Sequence, residues 1–383
     1  MSEWKEYKLG EVCSFVKDKI SIRDVGAKVY ISTENMLPDK GGITQSSSIP
    51  SEGMVTRYYP ETILISNIRP YFKKIWLAKT DGGCSNDVLC FKGNDGLVNS
   101  NFLYYLLSQD TFFEYVMLGS KGCKMPRGDK DHIMKWNVLL PPIDEQKRIA
   151  GVLSSLDDKI DLLNRENATL EALAETLFRH HFIENPDPIW KEMPVSYYGK
   201  VICGKTPSKK NTEYFGGEVP FIKIPDMHGN TYVFNSEDSL SEKGRISQRE
   251  KTLPKDSIMV SCIATVGLVS MNAYEAQTNQ QINSVVPYDE HYRYYLYCWL
   301  NSMYDELNTM ASGGTATLNL NTGDFSRIGI PLPDETAIKE FHLQVEPLFA
   351  KIKSNQQQMQ ILAIQRDTLL PRLMSGEVEV TGQ

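Results

Sequence analysis

The stretch IAGVLSSLDDKIDLLNRENATLEALAETL (149–177) decides the fold, because its apolar residues recur every three or four positions. Steps of four and three alternate from Ile149 to Leu177 without a break, which is the heptad pattern of a coiled-coil helix. We predict a helix over 144–184, which Asn185-Pro186 ends. At about 1.5 Å per residue, this helix is roughly 50–60 Å long.

A second heptad pattern runs from Phe341 to Leu369, inside a predicted helix over 336–374. Each apolar seam contains one asparagine, Asn167 in the first helix and Asn355 in the second. Because a narrow seam suits one partner helix, we predict an antiparallel intramolecular coiled coil in which Asn167 faces Asn355. Such a buried pair lowers stability but determines the register. The alternative is two amphipathic helices that each lie on their own domain.

The chain also reads as two copies of one plan, separated by 186 to 195 residues. The matched segments are YISTENM (30–36) with FIKIPDM (221–227), TILISNI (62–68) with SIMVSCI (257–263), and SNDVLCF (85–91) with TNQQINS (278–284). Each copy mixes short strand-like and helix-like segments and is followed by one long helix. The sequence therefore predicts an α/β (α+β) fold with two similar globular domains and a pseudo-two-fold relation between them.

Bulk properties restrict the class of protein. The chain has 383 residues and a net charge of −7, so any basic face must be local. Its apolar runs are shorter than a membrane span, and its start lacks the apolar core of a signal peptide. Seven cysteines without a C-x-x-C pair favour neither a disulfide framework nor a zinc site. We expect a cytoplasmic protein that binds no metal and does not contact membranes.

Several motifs resemble those of one known family, the specificity subunits of type I restriction-modification systems. LPPIDEQ (140–146) precedes a heptad helix that ends near Phe178 and Phe182, as in that family. GKTPS (204–208) is typical of the start of a recognition domain in such subunits, and LLPRLMSGEVEV (369–380) is similar to their C-terminal segment. The resemblance covers nearly the whole chain.

The resemblance implies target recognition domains at 1–143 and 185–335, a central spacer helix at 144–184, a C-terminal spacer helix at 336–374 and a tail at 375–383. Each recognition domain would read one half of a bipartite site in double-stranded DNA. The helices would set the spacing and dock two methyltransferase subunits. The docking residues that the resemblance implies are Glu145, Gln146, Phe178 and Phe182. The second copy lacks the Glu-Gln pair, which leaves docking there in doubt.

The resemblance also implies a chain without catalytic residues of its own and without a bound cofactor. S-adenosylmethionine would belong to the methyltransferase subunits, which modify adenine. ATP and Mg²⁺ are likewise expected on partner subunits, among them the ATP-dependent restriction subunits that translocate and cleave DNA. A different class of protein with the same architecture is a stand-alone sequence-specific DNA-binding regulator, which would need no partner.

Candidate DNA-binding residues lie in loops that combine cations, glycines, aromatic rings and amides. In the first half they are Arg69, Tyr71, Lys73, Lys74, Lys121, Lys124, Arg127 and Lys130. In the second half they are Lys205, Thr206, Ser208, Lys223, Thr315, Thr317, Asn319 and Asn321. The alternative for each of these residues is an ordinary solvated surface loop.

GKVICGKT (199–206) matches the G-x-x-x-x-G-K-[ST] loop of nucleotide hydrolases. Such a loop needs a helix directly after it, whereas Pro207 and a polar, turn-like stretch follow here. We therefore expect no nucleotide hydrolysis. The aromatic clusters FLYYLL (102–107) and YRYYLYCW (292–299) have helical spacing and are expected in the core rather than against DNA bases.

Overall fold

A computed structural model of the chain describes residues 4–26, 29–122, 124–184, 186–187, 189–312 and 318–380. Packing divides the chain into two compact units. Unit 1 consists of Met1–Ile160 with Leu362–Gln383, and unit 2 consists of Asp161–Ile361. Both long helices contribute to both units. The division into recognition domains and spacers follows function rather than packing, and it stays a prediction.

Short strands build most of each unit. In the first half of the chain they are β1 (Lys5–Lys8), β2 (Cys13–Phe15), β3 (Lys19–Ser21), β4 (Tyr30–Ile31), β5 (Met54–Tyr58), β6 (Ile63–Ser66), β7 (Ile75–Leu77), β8 (Gly82–Cys84), β9 (Val88–Gly93) and β10 (Asn137–Leu140). In the second half they are β11 (Lys191–Pro194), β12 (Gly199–Cys203), β13 (Phe215–Ile222), β14 (Tyr232–Val233), β15 (Ser239–Leu240), β16 (Ile258–Ile263), β17 (Thr265–Asn272), β18 (Gln277–Thr278), β19 (Ile282–Pro287) and β20 (Gly329–Leu332).

The helices fall into short and long classes. The short ones are α1 (Leu9–Val12), α2 (Ser100–Leu107), α3 (Asp110–Leu118), α4 (Lys130–Ile133), α6 (Val195–Tyr198), α7 (Ile224–Met227), α8 (Glu242–Ser247), α9 (Tyr292–Ser302), α10 (Tyr304–Ala311) and α11 (Thr322–Ser326). The long ones are α5 (Ile143–Phe178), which continues as a π turn over Arg179–Ile183, and α12 (Glu335–Met374).

The sheets show the duplication directly. In unit 1 the main sheet has the order β2-β9-β6-β7, and a second sheet has the order β3-β5-β8-β4. In unit 2 the main sheet has the order β12-β19-β16-β17-β14, and a second sheet has the order β15-β13-β18. The first four strands of the two main sheets correspond one to one. Parallel pairs also occur at matching places in the two units, β4 with β8 and β13 with β18, and unit 2 has a further parallel pair, β14 with β17.

The aromatic helices line the core of each unit, as predicted. Phe102 and Tyr105 of α2 are buried in unit 1, and Tyr294 and Tyr295 of α9 are buried in unit 2. Their helical spacing turns one face toward the sheet, where the rings contact the buried strands. Burying one large apolar side chain stabilises a fold by about 1.5–3 kcal/mol, so these helices contribute strongly to each core.

The heptad seams behave as predicted within each unit. Asn355 Nδ2 donates to Asn167 Oδ1 over 2.8 Å, and both side chains are buried. Further along the same pair of helices, His181 Nε2 lies 3.1 Å from Gln344 Oε1. From the first contact to the second, the residue number increases along α5 and its continuation and decreases along α12. The two helices are therefore antiparallel. Sequence analysis therefore predicted the coiled coil and its asparagine contact correctly.

Arg366 occupies a seam position where an apolar residue is usual. Its Nη1 contacts Asp157 Oδ1 at 2.7 Å, and the Tyr105 hydroxyl donates to the other oxygen of that carboxylate over 2.6 Å. Burial and the neighbouring Asp157 carboxylate raise the pKa of Tyr105, so its hydroxyl keeps its proton. This group of three side chains attaches the seam to α2 in unit 1.

Candidate nucleic-acid interface

Three segments of unit 1 meet at one place, which we call junction 1: residues 66–69, 85–87 and 126–128. The first segment follows β6, the second precedes β9, and the third ends the glycine-rich loop. Three backbone hydrogen bonds join them: Asn67 N to Asp87 O at 2.8 Å, Arg69 N to Pro126 O at 2.8 Å and Gly128 N to Asn67 O at 3.2 Å. The structure therefore brings together two loops that the sequence singled out separately.

Unit 2 contains the same arrangement, which we call junction 2: residues 261–264, 279–281 and 318–320. Its hydrogen bonds are Cys262 N to Gln281 O at 2.8 Å, Ala264 N to Leu318 O at 3.0 Å and Leu320 N to Cys262 O at 2.8 Å. Isolated β-bridges also match, Ile68 with Arg127 and Ile263 with Asn319. The duplication thus extends from strand order to individual backbone hydrogen bonds.

Both junctions contain a residue in the left-handed backbone region. Arg69 has a φ of 51° in junction 1, and Ala264 has a φ of 66° at the matching place in junction 2. Neither residue is glycine, so each turn carries a cost of about 1–2 kcal/mol. Strain of this kind is concentrated at functional sites, where the surrounding hydrogen bonds maintain it. The same turn therefore has the same backbone conformation in both units, as it does at Glu61 and Asp256 before β6 and β16.

Ion pairs hold several of the predicted cations around junction 1. Arg127 Nη2 lies 3.2 Å from Asp87 Oδ1, and Lys121 Nζ lies 2.6 Å from Asp129 Oδ2. The hydrogen bond that Lys121 donates to Asp129 raises the pKa of Lys121, and the same bond holds the pKa of Asp129 at about 2. Both groups therefore stay charged at neutral pH. Lys121 and Arg127 also exchange backbone hydrogen bonds, which close the loop that carries the exposed Lys124.

Two lysines after junction 1 are engaged within the unit. Lys73 Nζ lies 3.1 Å from Asp110 Oδ1, and Lys74 Nζ donates to the Thr33 carbonyl over 2.7 Å. Partial burial lowers the pKa of Lys74. The ammonium group of Lys74 thus holds another loop in place, and its contact with DNA stays a prediction.

The aromatic residues of the same loop are accessible. Tyr71 is 46% exposed, and its ring centre lies 4.6 Å from that of Phe72. Lys130, the first residue of α4, is exposed and places its ammonium 5.8 Å from the centre of the Phe15 ring. Tyr71 and Lys130 stay candidates for contact with DNA.

Beside junction 2, side-chain hydrogen bonds hold the segment that follows β12. Gln248 Nε2 donates to the Lys205 carbonyl over 2.7 Å, and Thr206 Oγ1 donates to Gln280 Oε1 over 2.7 Å. Lys205 and Ser208 are exposed. Sequence reasoning missed Gln280 and its neighbour Gln281 as site residues, although their segment had been matched to residues 85–91 of the first copy.

Other candidates in unit 2 have structural roles. Asn321 caps α11: its Oδ1 accepts from Asp324 N over 2.9 Å, and its Nδ2 contacts the Asp324 carboxylate at 2.6 Å. This amide therefore has a structural role, and base contact by the exposed Asn321 stays a prediction. Lys223 forms an ion pair with Asp238 and is half-buried, and its contact with DNA likewise stays a prediction. Thr315 and Thr317 lie outside the described residues.

The possible phosphate-binding loop lacks the required geometry. Residues 199–203 form strand β12, and residues 204–211 form no helix. The next helical element is a three-residue 3-10 turn over Thr212–Tyr214. Phosphate binding by such a loop depends on amides at the N-terminus of a helix that follows at once. GKVICGKT therefore lacks the helix on which a phosphate-binding loop depends.

Three of the four predicted docking residues are buried inside their own unit. Gln146 is 1% exposed and bonds to Asn99 N, Leu97 O and Pro141 O. Phe178 and Phe182 are 1% and 2% exposed, and their rings pack against Phe341. Their burial gives these three side chains a role in positioning α5. Docking of partner subunits by them and by the half-buried Glu145 stays a prediction.

Two kinds of feature are absent from the part of the chain that the structure describes. No helix within it has the length and apolarity needed to cross a membrane. The described residues also contain no group of three or more His, Cys, Asp or Glu side chains arranged to hold a metal ion.

Comparison with known proteins gives one consistent result. Residues 1–172 and 190–362 match the family model described as the type I restriction modification DNA specificity domain. The chain is 32% identical to the HindI specificity subunit of Haemophilus influenzae, over 99% of this chain and 100% of that protein. It is 28% identical to the MjaIX specificity subunit of Methanocaldococcus jannaschii, over 85% of this chain and 79% of that protein.

Among solved structures, the S subunit of a type I restriction-modification system from M. genitalium is similar in fold. The TM-score is 0.61 at 15% identity, and the match covers 100% of this chain and 97% of that chain. Two matched stretches of the family model agree with the two duplicated units and their junctions. The chain therefore belongs to the specificity subunits of type I restriction-modification systems, whose role is DNA sequence specificity.

Proposed function

We propose that each unit reads one half of a bipartite site in double-stranded DNA, and that its junction supplies the contacts. The observation that carries this proposal is the duplicated junction. Backbone hydrogen bonds, β-bridges and a left-handed turn are the same in both units, whereas the exposed side chains differ. Two domains that recognise different DNA sequences require this combination of a constant backbone scaffold and variable side chains.

The side chains around the junctions suit a nucleic acid. Arg69, Lys124 and Lys130 provide cations beside the exposed Tyr71, and cations contact phosphates while aromatic rings stack on sugars or bases. Junction 2 instead offers amides, Gln280 among them, with the exposed Lys205 nearby. Amides form bidentate hydrogen bonds to base edges in the major groove.

The long helices suit a spacer. α5 has 36 residues and α12 has 40, which correspond to lengths of about 54 and 60 Å. One turn of a DNA duplex is about 34 Å long. A paired helical spacer is stiff, so it would keep the gap between the two half-sites constant, which a flexible linker would not.

The chemistry of the system would belong to partner subunits in the cytoplasm. Specificity subunits are non-catalytic, so two methyltransferase subunits would carry S-adenosylmethionine and modify adenine. Restriction subunits would use ATP and Mg²⁺ to translocate and cleave unmodified DNA. With a net charge of −7, the isolated chain as a whole is repelled by the DNA phosphates, whose contacts with cations dominate affinity. It would therefore need the methyltransferase subunits to bind its site tightly.

Measuring DNA affinity with and without the methyltransferase subunit tests this proposal. At physiological salt we expect the isolated chain to bind with a Kd in the non-specific range of about 10⁻⁴–10⁻⁶ M. The complex should bind its methylation site with a Kd of about 10⁻⁸ M or lower. Tight, sequence-specific binding by the chain alone would instead identify a stand-alone regulator. Equal weak binding with and without the partner would contradict both functions.

A further inference from the structure

One backbone position carries a different side chain in the two junctions. It is the position bridged to Ile68 in unit 1 and to Ile263 in unit 2, and these two isoleucines occupy the same place in the repeat. Arg127 holds this position in junction 1, and Asn319 holds it in junction 2. Both side chains are exposed. The two residues are thus presented in the same way by the same scaffold.

We infer that this position is a base-reading position, where Arg127 contacts a guanine in one half-site and Asn319 contacts an adenine in the other. The inference rests on the proposed function, because it requires that each unit reads DNA. Arginine forms two hydrogen bonds to O6 and N7 of guanine, and asparagine forms two to N6 and N7 of adenine. Each pairing discriminates against the other bases in the major groove.

The backbone of Arg127 is held on both sides. Its N–H donates to the Lys121 carbonyl over 2.9 Å, and its own carbonyl accepts from Lys121 N over 3.0 Å. At the next residue, a Cβ added to Gly128 would lie 2.8 Å from Asn67 Oδ1, so the loop packs closely against the turn. A base-reading side chain needs this support, since an error of about 1 Å removes a bidentate contact.

The guanidinium group of Arg127 is also oriented. Arg127 Nη2 lies 3.2 Å from Asp87 Oδ1, and the Arg127 side chain is 56% exposed. A guanidinium has five N–H donors in one plane, so a carboxylate on one edge leaves the remaining donors for a ligand. An exposed ion pair of this kind contributes little to stability, so stability alone gives no reason for its geometry.

Asn319 has matching support without the charge. Its N–H donates to the Ala311 carbonyl over 3.1 Å, and its neighbours Leu318 and Leu320 bond to the turn of junction 2. Asn283 Nδ2 adds a contact to the Leu320 carbonyl at 3.3 Å. Gln281 stands where junction 1 has Asp87, and its Oε1 accepts from Asn279 Nδ2 over 2.8 Å.

Lys124 provides a control for Arg127, because a lysine contacts DNA differently from an arginine. Lys124 is exposed on the loop closed by Lys121 and Arg127, and a lysine presents a mobile point charge rather than a planar fork. Such a residue contacts phosphate without selecting a sequence. Lys124→Ala is therefore the matched control for loss of charge in the same loop.

The experiment maps N6-methyladenine across the genome of cells that express the chain with its methyltransferase subunit. Arg127→Lys keeps the charge but removes the fork, and we expect about 10-fold weaker discrimination at one base pair of one half-site. Asn319→Ala should weaken discrimination at one base pair of the other half-site by a similar factor. Lys124→Ala should lower methylation at all sites and leave the motif unchanged.

Several results would overturn the inference. An unchanged motif in Arg127→Lys or Asn319→Ala, or relaxation of both half-sites by one substitution, would show that the position does not read a base. Thermal unfolding of each purified variant identifies any change that comes from misfolding, and Arg127→Gln then serves as a second variant. If the wild-type complex methylates no defined motif, the proposed function fails, and this inference fails with it.

Discussion

His342 is a buried residue whose titration should be visible in the stability of unit 2. It lies on α12, is 4% exposed, and its ring centre is 5.0 Å from that of Tyr294. Its Nδ1 has no hydrogen-bond partner among the described residues, and its Nε2 is 3.9 Å from Glu346. Burial lowers the pKa of His342 below 6.5, although Glu346 opposes this effect. The imidazole is therefore neutral at neutral pH.

We predict that unit 2 loses stability as the pH falls below about 6.5. The unfolded chain binds a proton at His342 in that range, whereas the folded chain binds it only at lower pH. The groups that face His342 are Glu346, His291, Arg293 and Glu290, and their charges modulate the shift. Urea unfolding between pH 5 and 7.5 measures the effect.

In that measurement, His342→Phe should flatten the pH dependence, because it removes the titrating group. His228 is exposed, so His228→Gln is the matched control and should leave the pH dependence unchanged. Identical pH dependence in wild type and His342→Phe would contradict the prediction.

Residue types alone could not separate the roles of the asparagines. Asn319 and Asn321 both looked like base readers in the sequence, but Asn321 precedes a helix and caps it. Asn35 similarly accepts the Ser32 N–H over 2.6 Å and is buried. Short polar side chains bond to nearby backbone in many contexts. Distinguishing a cap from a contact requires the local backbone, which the sequence does not show.

At the scale of elements, the coiled coil contains a buried polar contact that is only partly satisfied. Asn355 Nδ2 donates to Asn167 Oδ1 over 2.8 Å and to Glu166 Oε2 over 2.9 Å. Asn355 Oδ1 is buried without a partner among the described residues. The pair thus lowers the stability of the seam while opposing any change of register, because a shift would leave both amides unpaired.

We predict opposite effects for single and double replacement of this pair. Asn167→Leu alone should lower the free energy of unfolding by about 1–3 kcal/mol, because it removes a partner from the buried Asn355. The double change Asn167→Leu with Asn355→Leu should raise it, since two buried apolar side chains then meet. Urea unfolding measures both effects.

Register is measured separately by disulfide trapping between cysteines introduced at Leu163 and Met359, which the heptads place opposite each other. In the double variant Asn167→Leu with Asn355→Leu, disulfides should form in shifted registers as well as between positions 163 and 359. A double variant that is less stable than wild type, and that forms the disulfide only in the wild-type register, would contradict the role of the asparagine pair in determining the register.

Heptad spacing predicted both long helices and the face of each that pairs, because the apolar period determines which residues share a face. The asparagine in each seam indicated the register of the contact. The sheets could not be predicted in the same way. β12 pairs with β19, which lies some 80 residues later, and two-residue strands such as β4 carry no periodic signal. Long-range pairing of short strands depends on the whole core. The junctions depend on that pairing, so sequence analysis found their loops but not their meeting point.

At the scale of the whole molecule, duplication is the organising feature. Two units share strand order, parallel pairs, junction hydrogen bonds and a strained turn, while the exposed side chains at the junctions differ. Gene duplication followed by divergence of the loops would produce this pattern. For a protein whose role is sequence specificity, it leads to one central expectation, namely two independent readers in one chain.

The most direct test of that expectation is a genome-wide map of N6-methyladenine in cells that express the wild-type chain with its methyltransferase subunit. We expect one motif made of two short defined segments, separated by a constant number of undefined base pairs. A single contiguous motif, or methylation without any defined motif, would contradict it.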